Sequence, residues 1–294
     1  MKQSARLVSF AMLALAGGNA RGAYDCSVSV TSVDAFYDSI TDVDTHGTVT
    51  LTCSRIADDA NTLSYRIMAG PGLSGDRQGR RVKHATTNDY LTYWLSRGTA
   101  EGGGARCSNN SNWEDPVAGA GKVITGTLNF GVALAASATW GYCIRLPAQG
   151  LPTAGTYTDA VNLSARYPDS TAGATTPATL LSYTVWVGDH CVFNTYPGTM
   201  TFSYTSFSPS PATASQPFVL RCSQGTPWAV AVDPSASSLL GLAYSIAASP
   251  ATGTGLGNTG QTVTLTGTIP AGQAGSCTLG TCTAAQTHTV TISY

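Results

Sequence analysis

The stretch Thr287 to Tyr294 reads THTVTISY. Val290, Ile292 and Tyr294 fall on one face, and Thr289, Thr291 and Ser293 fall on the other. A strict period of two is the pattern of a half-buried antiparallel strand. Such a strand uses one edge to join its sheet and leaves a second edge that needs its own partner. The chain ends at Tyr294, so no later strand is expected to supply that partner.

The same alternation recurs from the start of the chain. Cys26 to Val33, Thr48 to Cys53, Leu63 to Met68, Tyr90 to Leu95, Lys122 to Phe130, Thr139 to Leu146 and Tyr157 to Tyr167 all read as short strands. Gly, Pro, Asn and Asp break them apart, and Gly70 to Arg81 is a Gly-rich loop. No window after residue 22 carries a 3.6-residue apolar period. Many short strands without helices predict an all-β chain of immunoglobulin-like β-sandwiches.

The chain also repeats itself. VTLTCS at Val49 to Ser54 returns as VLRCS at Val219 to Ser223. LTYWLS at Leu91 to Ser96 returns as LAYSI at Leu242 to Ile246, and IRLP at Ile144 to Pro147 as TIP at Thr268 to Pro270. Tyr157 to Tyr167 corresponds to Thr287 to Tyr294. Two copies of one unit are expected, at 23–187 and 190–294, with Gly188-Asp189 as the hinge. They differ in two ways. Leu91 to Ile144 spans 53 positions where Leu242 to Ile269 spans 27, so the first copy holds an insertion. The first copy also continues into LLSYTVWV, Leu180 to Val187, in which Leu181, Tyr183, Val185 and Val187 share one face. The second copy has no such strand. Burying four apolar side chains contributes about 6–12 kcal/mol, comparable with the whole stability of a domain, about 5–15 kcal/mol. A unit without that strand exposes an edge beside an apolar groove, a template for strand addition. The competing expectation is that an internal segment such as Met200 to Phe207 closes the second sandwich.

Composition narrows the rest. A net charge of −1, with 11% charged residues, leaves no electrostatic footprint for nucleic acid or anionic lipid. Residues 1–22 read as a signal peptide: Lys2 and Arg6, then the apolar run Leu7 to Ala16, then small residues Ala20 and Gly22. The mature chain is expected to be exported. Eight cysteines suit an oxidising compartment, and their spacing matches no zinc pattern. The preferred pairing is Cys26–Cys53, Cys107–Cys143, Cys191–Cys222 and Cys277–Cys282.

Several features together resemble the spore coat protein U domain family, found in subunits of archaic (Csu-type) chaperone–usher pili. They are an early Cys, a strand ending in a second Cys, and Arg80-Arg81-Val82 before a Leu-x-Tyr strand. The turn Trp113-Glu114-Asp115, the IPAGQ stretch Ile269 to Gln273 and the alternating strand ending in Tyr294 complete the set. The second copy lacks the Arg-Arg segment and the Trp turn. The resemblance implies an incomplete immunoglobulin-like fold, completed first by a periplasmic pilus chaperone and then by the N-terminal extension of the adjacent pilin subunit. Val290, Ile292 and Tyr294 would form the donor-strand edge. With only Ala23-Tyr24-Asp25 before the first cysteine, the mature chain is expected to accept a donor strand and to have none to give. Together with two domains, this implies a fimbrial tip adhesin. Its expected route is through the periplasm and the outer-membrane usher to the cell surface, with a role in attachment to an abiotic or host surface and in biofilm formation. The alternative is a secreted structural spore-coat-like protein without pilus assembly.

The expected contact patch lies at the end of the first domain opposite the hinge, on loops near Ser54 to Asn61, in the insertion, and from Pro168 to Pro177. Its candidate residues are Trp113, Val132, Ala133, Leu134, Ala135 and Ala136, because an exposed apolar patch on an exported protein marks an interaction site. Trp140 and Tyr142 are expected in the core. No catalysis and no cofactor are expected. Gly70-Pro71-Gly72-Leu73-Ser74-Gly75 has the dinucleotide spacing but is followed by a charged, Gly-broken stretch, not a helix. No GxSxG elbow occurs, and His46, His84, His190 and His288 are scattered. Asp58-Asp59 reads as a solvated turn, and Arg77, Arg80, Arg81 and Lys83 as a solvated basic loop.

Overall fold

The computed structural model describes residues 24–76, 79–108, 112–114, 122–170, 172–278 and 280–294. The expected signal peptide, Arg77 and Asp115 lie outside these residues. Among the described residues, regular structure consists of strands and one short 3-10 turn, Gly72–Ser74. Among the described residues no helix is long and apolar enough to cross a membrane.

The first half runs β1 (Asp25–Val30), β2 (Val33–Phe36), β3 (Val43–Ser54), β4 (Thr62–Ala69), β5 (Arg80–His84) and β6 (Tyr90–Glu101). It continues with β7 (Ile124–Asn129), β8 (Ala135–Leu146), β9 (Gly155–Tyr167), β10 (Ala174–Thr175) and β11 (Thr179–Val187). The second half runs β12 (Cys191–Thr195), β13 (Ala212–Cys222), β14 (Pro227–Asp233), β15 (Ala236–Leu239), β16 (Leu242–Ser249), β17 (Thr252–Thr254), β18 (Gln261–Ile269) and β19 (Thr289–Ser293).

Strand order exposes the repeat. One layer of the first half is β1-β3-β8-β6-β5, and one sheet of the second half is β12-β13-β18-β16-β15. The facing layers are β7-β4-β9-β11-β2 and β17-β14-β19. Every strand of the second half thus has a counterpart. The first half adds β11, β2 and the two-residue β10, which pairs with β9. β11 lies antiparallel to β9 and, on its other side, parallel to β2.

The inward faces explain why these segments are strands. Val49, Leu51 and Cys53 of β3 alternate with exposed or half-exposed Thr, and Val263 and Leu265 of β18 do the same. Trp140 and Tyr142 of β8 are buried, as expected. The two cores differ sharply. Among the described residues, 32 buried apolar side chains form the first cluster and seven form the second. Cys26–Cys53 and Cys191–Cys222 each bridge directly opposed residues of neighbouring strands. Cys107–Cys143 ties the insertion to β8, and Cys277–Cys282 closes a short loop.

Two expectations need correction. Trp113 is fully buried, not part of an exposed patch. Its indole Nε1–H donates to Ile67 O at 2.9 Å, and its backbone N–H donates to Leu95 O at 2.8 Å. Arg80 is not solvated either, with 1% of its surface exposed. Its guanidinium donates to Trp113 O at 2.7 Å, to Ala69 O at 3.1 Å and to Gly70 O at 2.6 Å. Burying a charge requires such bonds. The Arg-Arg segment and the Trp turn are two halves of one contact, which explains why the second copy lacks both. Arg81 and Lys83 remain exposed.

Trp113→Ala should lower the stability of the first unit by about 3–5 kcal/mol in denaturant unfolding. Trp186→Ala, on the outward face of β11, should change it by no more than about 0.5 kcal/mol. Alkaline pH provides a second check. Burial pushes the Tyr142 phenol up to about 12 and raises those of Tyr65, Tyr93, Tyr157 and Tyr183. The fold therefore favours the neutral phenols, while an unfolded chain ionises them near pH ~10. That stabilisation is complete below pH ~10 and lost as pH rises through the folded values. Near-ultraviolet phenolate absorbance should show the buried tyrosines ionising together with unfolding of the first unit.

Candidate functional site

The edge of β19 is the first candidate site. Residues 289–293 pair with Asp233 to Ala229 of β14 on one side. On the other side no strand pairs with β19 among the described residues. Its counterpart β9 is bounded on both sides, by β4 and β5 on one edge and by β11 on the other. The consequence shows in burial. Val161, Leu163 and Ala165 of β9 are 0–1% exposed. Val290 and Ile292, at the same alternation in β19, are only half-buried against the second core. Tyr294 is exposed, its ring set edge-to-face with His190 at 6.2 Å. The open edge therefore combines free peptide groups with incompletely covered aliphatic side chains.

Met200 to Phe207 does not close this edge. The segment forms no strand. Met200, Phe202 and Tyr204 are half-buried and alternate with exposed Thr201, Ser203 and Thr205. Met200 and Phe202 lie over Gly267 on the inner face of β18, where any Cβ would collide with them. Tyr204 Oη accepts the backbone N–H of Gln273 at 2.8 Å. The segment occupies the chain position that β2 holds in the first half, between β12 and β13. The slot that β11 fills in the first half has no strand in the second.

The second candidate site is the end of the first half that lies opposite Gly188-Asp189. Val187 pairs with Gly155, so the far ends of β9 and β11 point away from Gly188-Asp189. Asp169 N–H donates to Ser64 O, and Asp169 forms an ion pair with Arg66, placing the loop after β9 beside the start of β4. Ser54 pairs with Ala135 and Thr62 with Asn129. The loops 55–61 and 130–134 and residues 168–170 therefore share this end.

Val132 caps a tight turn closed by Ala133 N–H to Phe130 O at 2.8 Å. Gly131 takes the left-handed conformation there, φ 55°, which glycine adopts without a Cβ clash. The second central residue then points outward, and Val132 is 101% exposed. Leu134 is 54% exposed, and Ile56 on the neighbouring loop is 56% exposed. Ala133 and Ala135 are exposed and Ala136 is half-buried. Trp113 belongs elsewhere, in the core. Ile56 was not singled out from sequence. Its signal was a lone aliphatic residue inside the polar stretch SRIADDAN, Ser54 to Asn61. Asp59 shapes that stretch: its carboxylate accepts the Ile56 N–H at 2.9 Å.

Other chemistry-bearing residues serve the fold. The Gly72–Ser74 turn holds a carboxylate of its own chain. Asp159 accepts from Leu73 N–H at 2.7 Å and from Tyr93 Oη–H at 2.6 Å, and a Cβ on Gly72 would strike it. His84 accepts the Thr87 N–H at Nδ1, 3.0 Å, and meets Ala154 O through Nε2 at 3.2 Å. His46, Cys107 and Cys143 bring three ligand-type atoms within 4.8 Å of one another, but both sulfurs are joined in the disulfide.

The sequence profile of the spore coat protein U domain matches residues 15–164. No curated protein matches the chain. Among solved structures, the chain is similar to the CsuC–CsuE chaperone–tip adhesion subunit complex of archaic Csu pili from Acinetobacter baumannii. That likeness has 15% identity and a TM-score of 0.45, and covers 91% of this chain and 100% of the other. It is also similar to the CupB6 tip adhesin from Pseudomonas aeruginosa, at 11% identity and TM-score 0.36, covering 92% and 96%. The CooA pilin subunit of enterotoxigenic Escherichia coli matches at 11% identity and TM-score 0.35, over 55% of this chain and 97% of the other.

Proposed function

Given that the chain belongs to the spore coat protein U domain family, we propose that it is the tip adhesin of a chaperone–usher fimbria. In this reading the first unit, 23–187, makes surface contact and the second, 190–294, is the pilin module. The observation that carries the reading is the unpaired edge of β19 beside half-buried Val290 and Ile292, set against a first unit in which β11 covers the equivalent edge. β11 also indicates what the vacant slot takes: an alternating apolar strand antiparallel to β19. A periplasmic chaperone supplies that strand first, and the N-terminal extension of the next subunit replaces it. The protein passes the periplasm and the outer-membrane usher and ends at the cell surface.

Ile56, Val132 and Leu134, with flanking Ala133 and Ala135, are the contact residues. They are aliphatic, and Ile56, Val132 and Leu134 carry no group that hydrogen-bonds a glycan or a polar peptide. The partner they fit is an apolar surface, which supports attachment and biofilm formation.

The test is thermal unfolding of residues 23–294 with and without a strand of sequence LLSYTVWV fused after Tyr294 through a short turn. The expected outcome is a rise of at least about 10 °C in the transition of the second unit, because each ~1 kcal/mol moves a domain of this size by about 4–8 °C. A fused strand with its inward residues changed to Ser should have no such effect. If the apolar strand also leaves the transition unmoved, strand acceptance is wrong and the secreted coat-protein reading takes its place.

A further inference from the structure

Arg55 is a buried cation at the distal end of the first unit, 8% exposed, immediately before exposed Ile56. Among the described residues no carboxylate forms an ion pair with it; its guanidinium partners are backbone carbonyls from two loops. Nη1 donates to Asp59 O at 2.8 Å, with longer contacts to Ala57 O at 3.4 Å and Ile56 O at 3.5 Å. Nε donates to Ala133 O at 3.2 Å, and Nη2 donates to Gly131 O at 3.2 Å. The backbone N–H of Arg55 donates to Leu134 O at 2.9 Å. The guanidinium also lies 5.6 Å from the centroid of the Phe130 ring.

These bonds do more than satisfy a buried charge. Loop 130–134 is built from Phe, Gly, Val, Ala and Leu, and none of these side chains can hydrogen-bond to loop 55–59. A guanidinium has five N–H donors in a rigid planar fork, and charge-assisted bonds are the stronger kind. Here the fork turns carbonyls of both loops inward, while the side chains of Ile56, Val132 and Leu134 stand exposed. Apolar side chains on separate mobile loops would turn into each other and bury their own surface. Locked loops keep them apart and facing out. The second copy has Gln224 at the equivalent position after its cysteine, and a neutral amide cannot span two loops in this way.

We infer that Arg55 is the positioning residue of the distal contact surface: it clamps loops 55–59 and 130–134 into one unit that holds Ile56, Val132 and Leu134 ready for an apolar surface. The inference rests on the proposed role of these loops as the contact surface.

The test uses the full chain as wild type, Arg55→Lys, Arg55→Met and the double variant Val132→Ser/Leu134→Ser. Three quantities are measured: binding to polystyrene and to bare silica beads, amide hydrogen exchange, and thermal unfolding. Arg55→Met should keep cooperative unfolding, speed exchange in both loops together, and weaken polystyrene binding about tenfold, the factor set by ~1.4 kcal/mol. Silica binding should not change. Arg55→Lys, which keeps the charge without the fork, should fall between wild type and Arg55→Met. Undiminished polystyrene binding by Arg55→Met, or loosening of only one loop, would overturn the clamp. So would loss of cooperative unfolding in both Arg55 variants, which would make Arg55 a residue of the fold as a whole. If the double variant binds polystyrene like wild type while Arg55→Met loosens both loops, the contact surface fails and a purely structural clamp remains.

Discussion

A β-strand satisfies its peptide groups sideways, through the strands on either side, so an open edge in an otherwise closed sandwich is a demand for another strand. β9 and β19 apply this rule to one fold in two ways. In β9 both edges are met within the chain, and Val161 and Leu163 are sealed in the core beside the closing strand. In β19 the second edge is unmet among the described residues, and Val290 and Ile292 stay half in water. The lean core of the second unit follows from the same vacancy, because the strand that is missing from its ladder is also missing from its core.

The first unit uses its larger core to position buried charged side chains, which among the described residues the second lacks. Arg80 holds the Trp113 segment by its backbone, and Asp159 holds the Gly72–Ser74 turn. Arg55 applies the same chemistry at the distal end, joining two loops through their carbonyls. In each case a charged side chain reaches backbone groups that no strand pairs. This lets the first unit carry an insertion and shaped loops without exposing unpaired peptides to its core.

What was legible in the sequence follows from the same distinction. Alternation reports backbone pairing, so the all-β class, the repeat, the closing strand Leu180 to Val187 and the orphan strand at Thr289 could be read directly. The extent of the distal surface was partly legible. Val132 and Leu134 stand out as apolar residues beside a turn glycine, and Ile56 could be found as a lone aliphatic residue in a polar stretch. Trp113 and Arg80 could not be placed, because their burial depends on a contact 33 residues apart, and neither residue shows a period. Arg55 was illegible for a related reason. A single arginine after a cysteine looks solvated until the loop it reaches, more than seventy residues away, is folded beside it.

The direction of β19 adds a mechanical consequence. Its end at Tyr294 lies beside His190, next to Gly188-Asp189, and its start at Thr289 pairs with Asp233 at the other end of the strand. A strand pairing with it as β11 pairs with β9 would begin beside Tyr294 and leave at the Thr289 end. Load on that strand would run along the ladder, and hydrogen bonds perpendicular to the strands would share it instead of parting one at a time. On the proposed reading, a contact surface at the distal loops is useful only if the attachment at the β19 edge resists shear, and an antiparallel ladder would meet that requirement without any covalent link.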